Sequence, residues 1–259
     1  MKLKFKHQKF QADAAKAVVD VFAGQPYLTA NYLIDRGDDT QGTLINDPYF
    51  TGWCNQPIVP QLNDNVILEN LNKVQRDNLI APSPKLEGKY NLTVEIETGV
   101  GKTYTYIKTM YELNKHYGWS KFIVVVPSIA IREGVYKSFI VTQEHFAEEY
   151  GKKIRFFIYN SAVSSEIKSF LNDKDIYVMI INVQAFNSSK DYKRKILEKQ
   201  ENFNWCKPIE LIAKTNPILI IDEPQSVEGK QAKEQLKKFN PLITLRYSAT
   251  HKTDSIYNM

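Results

Sequence analysis

Seven consecutive residues, Glu97-Thr-Gly-Val-Gly-Lys-Thr103, carry the strongest chemical signal in the sequence. Gly99 and Gly101 permit backbone angles and close approaches that a Cβ would block. A loop of this kind, spanning Thr98, Gly99, Val100 and Gly101, turns its amide N–H groups inward. It offers them to phosphate oxygens at the positive end of a following helix. Lys102 is then placed for the β- and γ-phosphates of ATP, and the Thr103 hydroxyl for Mg2+. The general phosphate-loop pattern asks for glycine where Ile96 stands, so the match is incomplete. The second signal is Asp222-Glu223-Pro224-Gln225. Here Asp222 is expected to hold Mg2+, directly or through water, and Glu223 to polarise an attacking water. Each motif also has a plain structural reading: a glycine-containing turn before an ordinary helix, and an acidic turn after a core strand.

These residues need a strand, a loop and a helix in that order, and the flanking pattern supplies them. Short runs rich in Val, Ile, Phe and Tyr recur at Leu92–Ile96, Phe122–Val126, Ile154–Ile158, Ile176–Ile181, Ile218–Ile221 and Leu242–Leu245. Helical patterns lie between the first of them, at Lys102–His116 and Ile129–Glu149. Continuous apolar runs are the mark of parallel strands covered on both faces. Strands alternating with helices predict an α/β fold with a mostly parallel central sheet flanked by helices. In such sheets ligands sit beyond the carboxyl ends of the strands. Asp222 and Glu223 fall at that edge, and Pro224 favours a backbone that leaves the pleat there, letting both carboxylates face the nucleotide. Ahead of this region, Phe10, Ala14, Val18, Val21 and Phe22 predict a helix over Gln8–Phe22 that ends at Gly24 and Pro26. Residues 24–91 hold most of the Asn, Asp, Gly and Pro clusters. They read as an irregular insertion with one short helix around Leu68–Asp77. The charged run Asp191–Glu201 reads as a solvated helix face.

Composition narrows the classes further. The chain has 259 residues, 43 % hydrophobic and 24 % charged, which excludes a wholly disordered or fibrous protein. Its net charge of +5 permits a polyanionic partner without demanding one. The charges of residues 1–92 cancel, so the excess lies in 93–259. Two distant cysteines, Cys54 and Cys206, form no metal-ligand spacing and no disulfide framework. No apolar run is long enough for a membrane span, and the basic start lacks the apolar stretch of a signal peptide. A cytoplasmic protein is therefore expected, and the sequons at Asn91 and Asn187 are read as chance.

Five segments together resemble superfamily 2 helicases and translocases: FQADA at 10–14, IETGVGKT at 96–103, VVVPSIAIREG at 124–134, IIDEPQ at 220–225 and RYSATH at 246–251. More closely, through PSIAIREG and DEPQ, they resemble the Res subunit of Type III restriction–modification enzymes. That superfamily tolerates a residue other than glycine at Ile96. The resemblance implies a RecA-like P-loop domain, with Gln11 reading adenine through its carboxamide. It also implies Ser248 and Thr250 in the motif that couples nucleotide state to domain movement. Pro127, Ser128 and Arg132 match the motif that touches the nucleic-acid backbone, and such contacts are sequence-independent. Asn182, Gln184 and Asn187 are a second candidate contact. Blander readings stand beside these: Gln11 as an exposed helical glutamine, Ser128 as a simple N-cap, and the SAT stretch as a small-residue strand end.

The family implies DNA as partner, ATP and Mg2+ as ligands, and a separate methyltransferase subunit that chooses the site. It also implies a second RecA-like domain and a nuclease domain. Neither is found in the sequence, and no PD…(D/E)xK pattern occurs. The expectation is a single N-terminal RecA-like ATPase domain over 1–259, either an excised piece or a truncated gene product. A general superfamily 2 helicase and a non-catalytic nucleotide-binding module are the competing functions. A small-molecule kinase would leave SAT and PSIAIREG unexplained.

Overall fold

Each of the six apolar runs becomes a strand, and all six lie in one parallel sheet. The structure is a computed structural model, and it describes residues 5–35, 50–97, 99–162, 164–187, 195–227 and 229–249. In chain order the elements are α1 (Lys9–Val21), β1 (Asn31–Asp35), β2 (Phe50–Cys54), α2 (Asp64–Asp77), β3 (Asn91–Glu95), α3 (Lys102–Tyr117), β4 (Lys121–Val126) and α4 (Ile129–Tyr150). They continue with β5 (Arg155–Ile158), α5 (Ser164–Asn172), β6 (Tyr177–Asn182), α6 (Gln184–Asn187), α7 (Pro208–Lys214), β7 (Ile218–Asp222), α8 (Lys230–Lys237) and β8 (Ile243–Ser248).

The sheet order is β3-β8-β7-β4-β6-β5, with every pairing parallel. Strands β4, β6 and β7 are buried along their whole length. Successive side chains of a strand alternate in direction, so each run feeds two cores. Val124, Ile220 and Leu245 pack with Tyr106 and Met110 of α3 and Phe139 and Phe146 of α4. Ile123, Val125, Leu219 and Ile221 pack with Ile167 and Phe170 of α5 and Ile209 and Ile212 of α7. This is the α/β arrangement, a parallel sheet flanked by helices, that the apolar runs predict.

Between residues 24 and 91 there is more regular structure than the sequence predicts. β1 and β2 form an antiparallel pair. The helix there begins at Asp64, earlier than Leu68, because the Asn63 side chain caps it by accepting from the N–H groups of Asn65 and Val66. The pair is invisible locally because FTGWC alternates only in burial, not in hydropathy. Tertiary contacts hold it: Phe50 and Cys54 enter the α5–α7 core. Beside them Asn55, 1 % exposed, ties three segments together. Its Oδ1 accepts from the N–H groups of Ser120 (2.7 Å) and Lys121 (3.0 Å), and its Nδ2 donates to the carbonyls of Lys121 (3.0 Å) and Asn216 (2.9 Å). The charged run near 191–201 also differs from expectation. Lys195–Leu197 and Glu201–Phe203 are short 3-10 turns, and Ile196 is fully buried, anchoring the first of them to the core. Residues 191–194 lie outside the described set.

Candidate functional site

β3 ends at Glu95 and α3 begins at Lys102, so the glycine loop bridges them at the carboxyl edge of the sheet. Gly101 is the residue before the helix and has φ +95°, a left-handed conformation that L side chains adopt only under strain. A Cβ there would stand 2.5 Å from Gln11 Nε2. Gln11 is buried on α1, not exposed, and its Nε2 donates to the Val100 carbonyl at 2.9 Å. The glutamine thus straps the glycine loop to α1. Thr98 lies outside the described residues.

The loop delivers Lys102 to both acids. Its ammonium is 2.8 Å from Asp222 Oδ1 and forms a second ion pair with Glu223. Neighbouring residues of a strand would point to opposite faces. Glu223 escapes that rule because β7 stops at Asp222 and Glu223 takes φ +58°. Its N–H donates to the Tyr247 carbonyl at 3.0 Å, and its carbonyl accepts from the N–H and Oγ of Ser226. The Glu223 carboxylate also accepts from Gln225 Nε2 at 2.7 Å and from the Ala249 backbone N–H.

Burial works against the charge on Lys102, but the hydrogen bonds and charges of Asp222 and Glu223 outweigh it. The ammonium's pKa is held above the usual lysine value. Asp222 is the deeper acid, and there burial wins over Lys102, raising the carboxyl above its usual range. At Glu223, further out, the burial penalty is overcome by Lys102, Gln225 and the Ala249 amide, and the carboxyl stays below its usual range. The result is one cation clamped by two unequal carboxylates beside the glycine loop.

Ser248 is buried at the end of β8, and its carbonyl accepts from the Ile96 N–H at 3.0 Å. The amide of the next residue, Ala249, reaches Glu223; Thr250 lies outside the described residues. Pro127, Ser128 and Arg132 follow β4 at the same edge. Ser128 does cap α4, accepting from the Ile131 N–H at 3.3 Å. The Arg132 guanidinium contacts Asn182 Oδ1 at 3.5 Å and Glu133 at 2.9 Å. Asn182 Nδ2 donates to Gln184 Oε1 at 2.6 Å, and Gln184 Nε2 to the Pro127 carbonyl at 3.2 Å. The two candidate backbone-contact groups are therefore one network across the ends of β4 and β6. Asn187 ends α6 beyond it.

Sequence reasoning passed over Tyr106, which is fully buried one helical turn after Thr103, and over Gln225 as a partner of Glu223. The i+3 spacing from Thr103 was a signal for the first, the DEPQ string for the second. Among the described residues one triple of possible metal ligands exists away from this edge: His7, His145 and Glu149, with ligand atoms within 4.8 Å of one another. Tyr104 Oη, 2.8 Å from His145 Nε2, and Lys108 Nζ, 2.5 Å from Glu149, already engage two of the three. Cys54 and Cys206 are both buried and are not joined in a disulfide. No described helix is long and apolar enough to cross a membrane.

Comparison with known proteins adds an independent line. The family described as Type III restriction enzyme, res subunit, matches residues 58–253. The chain is similar to the EcoP15I Res subunit, a Type III restriction-modification enzyme of Escherichia coli, at 32 % identity over 94 % of this chain and 25 % of that protein. It is similar to the EcoPI Res subunit of Escherichia phage P1 at 30 % identity over 73 % of this chain and 22 % of that protein. A solved structure, the Sulfolobus solfataricus SWI2/SNF2 ATPase core in complex with dsDNA, aligns with a TM-score of 0.42 at 13 % identity. It covers 64 % of this chain and 29 % of that one. The chain thus spans about a quarter of the length of the curated relatives it matches.

Proposed function

The chain belongs to the Type III restriction enzyme Res subunit family, and from that premise we propose that it is the ATP-hydrolysing motor module of such an enzyme. The observation that carries this reading is Lys102, set at the start of a helix beneath left-handed glycines and clamped between Asp222 and Glu223. A partly buried cation held by two carboxylates at the start of a helix, beside a loop whose glycines take left-handed backbone angles, suits the triphosphate of Mg·ATP.

Lys102 would exchange its carboxylate partners for the β- and γ-phosphates, through charge-assisted hydrogen bonds. The amides of Gly99, Val100 and Gly101 would line the phosphates at the positive end of α3. The Thr103 hydroxyl and the Asp222 carboxylate would hold Mg2+, whose chemistry is neutralisation of phosphate charge. Freed from Lys102, Glu223 would accept the proton of the attacking water, with Gln225 and the Ala249 amide keeping its carboxylate in place. Gln11 would meet the adenine with the same carboxamide that straps the loop. Ser248 and Thr250 would pass the state of Glu223 to the rest of the enzyme through that amide.

The network of Pro127, Ser128, Arg132, Asn182 and Gln184 would meet DNA phosphates, which position a protein but carry no sequence information directly. In the whole enzyme, hydrolysis would drive movement on DNA in the cytoplasm, with a methyltransferase subunit choosing the site. On this reading residues 1–259 form one RecA-like ATPase domain. Isothermal titration of a non-hydrolysable ATP analogue with Mg2+ tests the assignment. Lys102→Ala should weaken binding at least about a hundredfold, the order expected for two lost charge-assisted bonds. Unchanged affinity would remove the phosphate loop from the argument.

A further inference from the structure

Two buried tyrosines stand side by side beneath the site, and their hydroxyls fare differently. Tyr106 of α3 and Tyr247 of β8 meet edge to face, with ring centroids 5.5 Å apart, and neither is exposed. Tyr247 is opposite Asp222 in the sheet register, and its Oη donates to Thr109 Oγ1 at 2.9 Å. That hydroxyl is satisfied within the fold. The Tyr106 hydroxyl is not: it is shut away from solvent without a completed hydrogen bond. Its polar neighbours are the side chains of Thr103 and Asp222. Leaving a buried hydroxyl unpaired is destabilising, whereas phenylalanine would fill the same space without that cost. The orphaned group lies beside both side chains proposed above to hold the metal.

We propose that Tyr106 is a positioning residue for that pair: Thr103 donates its O–H to Tyr106 Oη, and Tyr106 donates its own O–H to the Asp222 carboxylate. This rests on the reading of Thr103 and Asp222 as metal holders. Donation by Thr103 turns its lone pairs away from Tyr106 and toward the ion. The bond to Asp222 closes when Lys102 leaves that carboxylate for the phosphates, since Asp222 then needs another donor and the phenol lies beside it. The hydroxyl thus has no complete partner in the lysine-clamped arrangement and gains one when the ion is held.

The test uses Mn2+ as a spin probe, titrated by EPR into the protein with a non-hydrolysable ATP analogue. Thermal unfolding without ligands and analogue affinity in EDTA complete the comparison. Tyr106→Phe should weaken Mn2+ binding about tenfold, the order typical of lost partners behind a metal ligand. Its affinity for the analogue in EDTA should not change, and its unfolding midpoint should stay level or rise, because an orphan hydroxyl is gone. Tyr247→Phe should behave oppositely, losing stability while keeping its Mn2+ affinity. Parent-like Mn2+ affinity in Tyr106→Phe beside a strongly weakened Asp222→Asn overturns the positioning role alone. A lowered midpoint with unchanged Mn2+ affinity overturns it too, since the hydroxyl is then merely structural. Parent-like affinity in Asp222→Asn overturns the metal-holding reading itself, and this inference with it.

Discussion

Gly101→Ala separates the two physical reasons for glycine in the phosphate loop. At φ +95° the residue lies in the left-handed region, where adding a Cβ costs about 1–2 kcal/mol. The new methyl would also stand 2.5 Å from Gln11 Nε2, well inside contact distance. The Gln11 amide must then move and give up its 2.9 Å bond to the Val100 carbonyl, a net loss of about 1 kcal/mol. Gly101→Ala should therefore destabilise the protein by roughly 2–3 kcal/mol. Gln11→Ala alone should cost about 1 kcal/mol and clear the space. In that background Gly101→Ala should cost only the backbone strain, about 1–2 kcal/mol. The double-mutant cycle then returns a coupling near 1 kcal/mol. Urea unfolding of the four proteins, followed by circular dichroism at one fixed pH, measures it. Strict additivity would refute the contact between residue 101 and Gln11. A neutral Gly101→Ala in both backgrounds would refute the left-handed loop as well.

Glu223→Gln should bind Mg·ATP as the parent does while turnover falls by roughly 10²–10⁴, since an amide cannot take the proton of water; parent-rate phosphate release in single-turnover assays would dismiss Glu223 as the base. Asn55→Ala should cost about 3–5 kcal/mol, because it abandons two buried N–H groups and two carbonyls at once; a drop in unfolding midpoint of only a degree or so would mean that residues 50–55 are not integral to the sheet. Lys121 is fully buried with its ammonium on the carbonyls of Phe170 (2.5 Å) and Asp173, and burial pushes its pKa down to about 8. The unfolded chain holds that proton up to the ordinary lysine value, so it binds more protons between these limits and stability rises with pH across the window. Relative to Lys121→Met, the parent should gain up to roughly 3 kcal/mol from pH 7 to above pH 10; parallel profiles for the two proteins would contradict the buried charge.

What the sequence determined by itself is local. Ser128 before the α4 pattern and the glycines before Lys102 set helix starts, because caps and left-handed turns are decided within a few residues. The Val- and Ile-rich runs marked all six strands of the parallel sheet, most plainly β4, β6 and β7, which are covered on both faces. The phosphate loop and the Asp222-Glu223 pair were visible as motifs for the same reason, and the family could be named from five short strings. What only the tertiary structure decided is every relation between distant segments. The meeting of Lys102 with both acids depends on the strand order, which places β8 between β3 and β7. Neighbouring acids converge only because Glu223 takes a left-handed turn, held by the carbonyl of Tyr247 on the next strand. As a residue of an amphipathic helix Gln11 reads equally as a surface glutamine; packing of α1 on α3 buries it and sets its amide on the Val100 carbonyl. The strands β1 and β2 carry no hydropathy pattern because their stability comes from Asn55 and from the core behind Phe50, both long-range. Tyr106 shows the same division: its place on the helix is written in the sequence, but its orphaned hydroxyl beside Thr103 and Asp222 exists only once α3 lies on β7 and β8.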